Sequence, residues 1–271
     1  MITREPLFRP PAKNKLQGLG REGLDLVGET GRCGVLLWQS LAALRHVFAS
    51  RRMRQEIVAQ MYVAGIRSIP VITVVAVFTG MILSLQLGLM LSRYNQAVFV
   101  GSAVMVTMLR EMGPFMTGLI LAACVGSSMA AQIGTMTVND EVAALEIMSI
   151  DPVRFLMTPR MIAMMIMTPL LSFYTCLMGV LGGGLVAMTQ LNINWSQYMV
   201  NAMDFADTKD LYVGMFKSLV FGMAIVTVAC YEGFTTEQGA VGVGMATRRS
   251  VISAFLLILI LGYFVTRIFY N

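Results

Sequence analysis

The sequence predicts an all-α membrane protein with an N-terminal interfacial helix, about five transmembrane helices and a short cytoplasmic helix. Three observations lead to this class. Hydrophobic residues make up 56% of the 271 residues, charged residues make up only 13%, and the mean hydropathy is +0.71. A typical soluble domain is about 25% charged. A chain of this size could not bury so much apolar surface in one water-soluble core, so lipid is the expected solvent.

Basic residues are concentrated at the N-terminal end of the chain. Residues 1–67 contain 11 Lys and Arg against 5 Asp and Glu, whereas the remaining residues contain 9 and 10. This pattern favours contact with anionic lipid headgroups and argues against a nucleic-acid partner. The four cysteines form no CxxC pair and His46 is the only histidine, so neither a disulfide framework nor a metal site is predicted.

The first 66 residues divide into a tail and an elbow. Residues 1–32 are polar and lack a signal-peptide core, which predicts a cytoplasmic tail. Residues 33–66 form the elbow region, in which 33–48 is apolar, flanked by arginines and shorter than the roughly 20 residues needed to span a bilayer. An interfacial helix is predicted here, with a poorly ordered linker as the alternative. The transmembrane domain is expected over 67–271.

The first two spans follow from long uncharged segments. Residues 69–91 predict the first span. Residues 97–136 are apolar for about 60 Å as one helix, twice the hydrocarbon thickness. Because proline removes a helical donor, Gly113-Pro114 predicts a break into an arm over 97–110 and a second span over 114–136.

One face of that second span carries a small residue at every fourth position. Such a face lets two helix backbones approach closely, which is a main source of helix association in lipid. The sequence therefore predicts a tight helix contact along a stripe of five residues: Gly118, Ala122, Gly126, Ala130 and Gly134.

A short amphipathic helix is predicted over about 139–151. Asn139 is the expected cap and Asp151-Pro152 the expected end. Val142, Leu145 and Met148 are spaced to share one face, while Glu146 points elsewhere. The segment is too short and too polar to span a membrane.

Three further spans complete the prediction, at about 161–188, 211–231 and 250–269. Pro169 and the glycine run 182–184 are expected to loosen the third span. Basic residues favour the loops on the side of the N-terminus, which predicts a cytoplasmic N-terminus and an external C-terminus.

Three charged residues at membrane depth are candidate site residues, because such charges are expensive there. Arg110 and Glu111 flank the expected break, and Lys217 lies about two turns into the fourth span. Neighbours on a helix do not face each other, so Arg110 and Glu111 need other partners. One interpretation is a polar cluster for a ligand with a charged headgroup and apolar tails. The alternative is that Lys217 extends to the surface while Arg110 and Glu111 only stabilise the break.

Motifs for enzymatic chemistry are absent from the sequence. There is no GxxxxGK[ST], no GxSxG and no HExxH, so the chain is not expected to be an enzyme or to bind ATP through a P-loop. The glycine-rich run 239–244 follows no strand and is read as close packing or a cytoplasmic turn.

Two runs resemble the signatures of MlaE/YrbE permeases, the membrane subunits of MCE-type ABC transporters. They are LREMGPFMTGLILAACVGSSMAAQIGTMTVNDEVAALEIMSIDPVRFLMTPR (109–160) and YEGFTTEQGAVGVGMATRRSVI (231–252). The resemblance implies a homodimeric inner-membrane permease for phospholipids with its C-terminus in the periplasm. Implied partners are an ABC ATPase that holds ATP and Mg, a periplasmic MCE-domain oligomer and a small cytoplasmic regulatory subunit. No cofactor is implied on this chain.

The resemblance also assigns roles to residues. It implies a lipid cavity at the dimer axis, lined by Gln86, Met90, Leu91, Tyr94, Arg110, Glu111 and Lys217. It makes the 139–151 segment a coupling helix whose Val142, Leu145, Glu146 and Met148 meet the ATPase. The chain departs from relatives at Ala123-Cys124, where many have Gly-Arg, and at Tyr263, where some have an acid. A stand-alone secondary transporter and a membrane scaffold are the competing functions; no internal inverted repeat supports the former.

Overall fold

The computed structural model describes Gly34, Leu36, residues 51–237 and residues 239–270. The predicted tail over 1–32 and the predicted interfacial helix over 33–48 lie outside the described residues, apart from Gly34 and Leu36, which are helical. Five helical segments are long and apolar enough to cross a membrane, and the described residues are almost all helical and include no strand. The predicted all-α membrane class is confirmed.

The first span is Ile69–Ser92, within a residue of the prediction, and it follows a helix over Arg51–Ala64. Only one thin stripe of this span is buried: Ile72, Ala76, Gly80, Ser84 and Gly88. A β-carbon at Gly80 would overlap the carbonyl oxygen of Gly179 on the third span. The two backbones therefore touch directly, which is possible only because position 80 carries no side chain.

Gly80→Ala should destabilise the protein, because the added methyl group has no room between two backbones. We expect a loss of about 1–3 kcal/mol in unfolding free energy, measured as a lower thermal midpoint in one detergent. Gly244→Ala is the matched control: a β-carbon there meets nothing within 4 Å, and replacing a helical glycine should add up to about 1 kcal/mol. Equal midpoints for the two variants would contradict the close packing.

The predicted break in the second span is wrong, because residues Ala97–Val138 stay helical without interruption. A π-turn at Met108–Met112 comes directly before Gly113-Pro114, and the Gly113 N–H donates to the carbonyl of Met108. Pro114 therefore stands in the first turn of a new α-helical stretch, Gly113–Leu121, where a missing N–H is tolerated. The predicted stripe is confirmed: all five of its small residues are buried.

The short helix is Glu141–Ile147, briefer than the predicted 139–151. Asp140, not Asn139, is its N-cap residue, with a left-handed φ of 60°. Asp151 does not end this helix. Its side chain accepts the N–H of Val153 at 3.0 Å and so begins the third span. An Asx side chain can cap the helix that follows it as readily as end the one before.

The third span runs from Val153 to Gln190 with no break at Pro169 or at the glycine run 182–184. The prediction that these residues loosen the third span is wrong, because its glycines pack against neighbouring helices. A β-carbon on Gly182 would overlap the Val77 carbonyl, and one on Gly184 would overlap Trp195. These glycines let the first span and the next helix lie directly on the third span.

A surface helix, Trp195–Asp204, lies in the connection between the third and fourth spans, where the sequence predicted no helix. The Asn194 side chain accepts the N–H of Ser196 at 3.0 Å and caps it. Tyr198, on the inner face of this helix, is fully buried, and its hydroxyl donates a hydrogen bond to the Val180 carbonyl at 3.1 Å. Burial raises the pKa of Tyr198, so this donor persists at neutral pH.

The fourth span is Thr208–Phe234 and the fifth is Gly239–Tyr270. The fifth begins earlier than predicted, because the run 239–244 is its first turns and not a loop. The fourth span is the most enclosed, packing on the second, third and fifth spans. The first and fifth spans lie at the margins and expose most of their apolar side chains. We call the end with the short helix the near end, and the end with the surface helix and Tyr270 the far end.

Candidate functional site

A polar cluster joins three spans towards the far end. Its members are two cations, two carboxylates and two hydroxyl groups: Arg110, Glu111, Asp210, Lys217, Thr266 and Tyr270. The second, fourth and fifth spans contribute two residues each. The four charges sum to zero, so the cluster can exist at membrane depth without a net charge.

The local backbone explains why two adjacent residues reach different partners. Arg110 and Glu111 lie in the π-turn, and Pro114 cannot donate to the Arg110 carbonyl as an ordinary helical residue would. The Lys217 ammonium donates to that carbonyl at 3.1 Å instead. Close approach is possible because Gly214, one turn before Lys217, lies against the Leu109 carbonyl, where a β-carbon would clash.

Lys217, Glu111 and Thr266 form the part that we call the inner triad. The Lys217 ammonium lies 2.8 Å from Glu111 Oε1, 2.7 Å from Thr266 Oγ1 and 3.1 Å from the Arg110 carbonyl oxygen. An ammonium has three protons, so all its donors are used. Lys217 is fully buried, whereas the Glu111 side chain is 42% exposed.

Arg110, Asp210 and Tyr270 form the outer triad, closer to the far end. Arg110 Nε lies 2.7 Å from Asp210 Oδ1, and the Tyr270 hydroxyl donates to the same oxygen at 2.5 Å. The guanidinium also lies 4.6 Å from the centroid of the Tyr270 ring, a cation–π contact. Asp210 is buried, whereas the Arg110 side chain is 42% exposed.

The structure brings together three of the predicted lining residues. Arg110, Glu111 and Lys217 share the cluster, and the first two pair with other residues, as predicted. The alternative in which Lys217 extends to the surface is wrong, because its side chain is 0% exposed. The other predicted lining residues lie on the first span and its turn and join none of these hydrogen bonds or ion pairs within the described chain. Gln86, Met90 and Tyr94 are exposed there, while Leu91 packs on a small apolar core.

Three members of the cluster were missed by sequence reasoning. Asp210 precedes Lys217 by seven residues, two helical turns, and so occupies the same face. Thr266 and Tyr270 are one turn apart at the end of the fifth span. Helical spacing could have signalled Asp210. Nothing in the sequence indicates that the chain end folds back on residue 110.

The short helix divides its residues between core and surface. Val142 is buried, and Leu145 packs against the same core cluster. Glu146 is exposed, and Ile147 and Met148 are exposed by 85% and 60%. Met148 follows the helix end, so it does not share the packed face predicted for it. Large apolar side chains are thus presented at the polar near end, as at protein interfaces.

Metal-binding chemistry finds no support in the described part of the chain. Within 51–237 and 239–270, no three His, Cys, Asp or Glu side chains come together in a way that could hold a metal ion. The cluster instead pairs charges and leaves part of a guanidinium exposed, which suits an anionic group.

Comparison with known proteins identifies the family. A family model described as "Permease MlaE" matches residues 57–268, more than three quarters of the chain. The chain belongs to the MlaE permease family. A "Probable ABC transporter permease protein" of Rickettsia bellii is 34% identical over 258 residues, covering 95% of this chain and 98% of the relative.

Two other relatives extend the comparison beyond Rickettsia. The "Intermembrane phospholipid transport system permease protein MlaE" of Haemophilus influenzae is 31% identical over 262 residues, with 95% and 98% coverage. A probable ABC transporter permease protein of Synechocystis is 32% identical over 221 residues, with 82% and 84% coverage. As a member of the MlaE family, this multi-pass protein is a permease, and the polar cluster lies inside the matched region.

Proposed function

We propose that this MlaE-family permease is the membrane subunit of an ATP-driven transporter that moves phospholipids between the inner membrane and a periplasmic MCE-domain protein, and so maintains outer-membrane lipid composition. The observation that carries the proposal is a half-exposed Arg110 in a charge-balanced cluster within an apolar bundle. A guanidinium among apolar surfaces suits a ligand with a phosphate headgroup and acyl chains. The name of the Haemophilus relative supports the same substrate.

The proposed working unit is a homodimer with its lipid cavity on the two-fold axis. Support comes from the first and fifth spans, which bury only one stripe each and expose large apolar side chains. Gln86, Met90, Leu91 and Tyr94 would border the cavity from the first span and its turn. Arg110 and Glu111 would meet the headgroup, while Lys217 acts through Glu111 because its three protons are already used.

An ABC ATPase would dock at the near end, bringing ATP and Mg on its own chain. Glu146, Ile147 and Met148 offer the exposed contact, while Val142 and Leu145 seat the short helix on the bundle. The proposed mechanism is alternating compression, in which closure of the ATPase is relayed through this helix to the dimer cavity. A small cytoplasmic regulatory subunit is a further proposed partner.

The proposed orientation places the near end in the cytoplasm and the far end in the periplasm of a bacterial inner membrane. Arg154, Arg248 and Arg249 are exposed towards the near end. The far-end turns and helix ends carry Arg93 and Lys209 with three aspartates: Asp204, Asp207 and Asp210. Basic residues favour the cytoplasmic side, so the bias supports this orientation.

Native mass spectrometry of the gently solubilised, affinity-purified protein tests the assembly. We expect two copies of this chain, two ATPase subunits, an MCE-domain oligomer and bound phospholipid. A chain purified alone, without ATPase or lipid, would contradict the proposal and favour a secondary transporter or a scaffold.

A further inference from the structure

The two triads of the polar cluster use the same three spans but are satisfied to different degrees. Each combines a cation, a carboxylate and a hydroxyl: Lys217, Glu111 and Thr266 in the inner triad, and Arg110, Asp210 and Tyr270 in the outer one. The inner triad is closed around a fully buried ammonium whose three protons are all donated. The ammonium has no donor left for a ligand, so Lys217 acts by holding Glu111 and Thr266 in place.

The outer triad is incompletely satisfied within the described residues. Asp210 Oδ2 is buried and has no hydrogen-bond partner. Arg110 Nε is close to Asp210 Oδ1, yet it is not aligned for a hydrogen bond. A buried carboxylate oxygen without a donor is costly, so the pair is held less firmly than the inner triad.

The exposed edge of Arg110 is the chemically available part of the cluster. Its contact with Asp210 is through Nε, and its two terminal nitrogens make no hydrogen bond in the part of the chain that the structure describes. A guanidinium can hold a phosphate with two parallel hydrogen bonds from one edge. The Asp210 carboxylate contacts only Nε, without an aligned hydrogen bond, so it binds Arg110 less strongly than such a phosphate would.

We propose that Arg110 exchanges between two anions, the phosphate of a bound phospholipid and the Asp210 carboxylate, and that Tyr270 positions Asp210 to recapture Arg110 and release the lipid. This inference rests on the proposed function. Tyr270 is suited to the task because its hydroxyl holds Asp210 while its ring lies over the guanidinium. Asp210 and Tyr270 are thus positioning residues for substrate release.

Tyr270 lies on the least enclosed span, which favours this role. The fifth span buries one stripe of its residues, and its last turn meets the fourth span through Tyr270 and through a contact between the rings of Phe269 and Phe216, whose centroids are 5.6 Å apart. The end of such a helix can shift without disturbing the main core. A lipid phosphate at Arg110 would then displace Asp210 without unfolding the bundle.

The test is phospholipid release from the full-length protein. The protein is loaded with fluorescent phosphatidylglycerol in nanodiscs, and transfer to acceptor vesicles of phosphatidylcholine is timed. In Tyr270→Phe the release should slow about fivefold, the factor expected when one competing hydrogen bond is lost. Asp210→Asn should slow it further, and adding Arg110→Met to Asp210→Asn should abolish the gain in retention.

Tyr263→Phe is the matched control, since Tyr263 is exposed on the same span and, among the described residues, its hydroxyl has a hydrogen bond only from Arg267, at 3.5 Å. It should release lipid at the wild-type rate. A merely structural role for Tyr270 would make release faster, whereas the exchange predicts slower release with lipid still bound.

Three outcomes would overturn the inference, and they can be told apart. A wild-type protein that holds no phospholipid would refute the proposed function as well. Bound lipid with unchanged or faster release in Tyr270→Phe would refute the exchange alone. Slow release in Asp210→Asn that persists when Arg110→Met is added would place the lipid phosphate away from Arg110 and refute the exchange.

Discussion

Glu111→Leu should destabilise the protein more than any other single change in the polar cluster. It leaves the fully buried Lys217 ammonium without a carboxylate, which should lower the unfolding free energy by about 3 kcal/mol. This value is the low end for breaking a buried ion pair, because the Glu111 side chain is itself 42% exposed. Lys217→Met should cost less, since the partly exposed Glu111 can take a water in place of the ammonium. Thermal and denaturant unfolding in a fixed detergent measures both.

The double variant Glu111→Leu/Lys217→Met separates charge from packing. With no charge left buried, it should be more stable than Glu111→Leu alone. Arg93→Met, at an exposed turn of the far end, is the control and should change stability by about 0.5 kcal/mol or less. If Lys217→Met proved the more damaging single change, water would have to reach the ammonium, and the closed inner triad would be wrong.

Replacing Ile147 and Met148 together by aspartate should remove the proposed ATPase partner from the purified permease. These side chains are exposed by 85% and 60% at the near end, so the change leaves the core intact while losing two apolar contacts. Burying one such side chain contributes about 1.5–3 kcal/mol, so association should weaken about 100-fold or more. The measurement is the ATPase retained per permease, together with ATP-dependent lipid transfer.

Ile147→Leu with Met148→Leu is the matched control, because it keeps apolar surface of similar size. This variant should retain the ATPase. Val142→Asp is a different experiment, since Val142 belongs to the core and its loss should lower the thermal midpoint. Full ATPase retention in the double aspartate variant, with transport intact, would show that the short helix is not the docking site.

The sequence by itself determined the class, the number of spans and the close-packed stripe. Apolar length and scarce charge are properties of segments, so 69–91 predicted Ile69–Ser92 almost to the residue. The stripe from Gly118 to Gly134 depends only on helical spacing, and it is buried as expected. The family could also be recognised from motifs alone, and the match over 57–268 confirms it.

Only the tertiary structure decided how proline, glycine and charge are used. Pro114 does not break the second span, because a π-turn precedes it and Lys217 satisfies the Arg110 carbonyl from another helix. The glycines of the third span do not loosen it, because neighbouring backbones fill the space. The partners of Arg110 lie 100 and 160 residues away, at Asp210 and Tyr270. Such contacts depend on how whole helices pack against each other, and this packing cannot be predicted from local sequence.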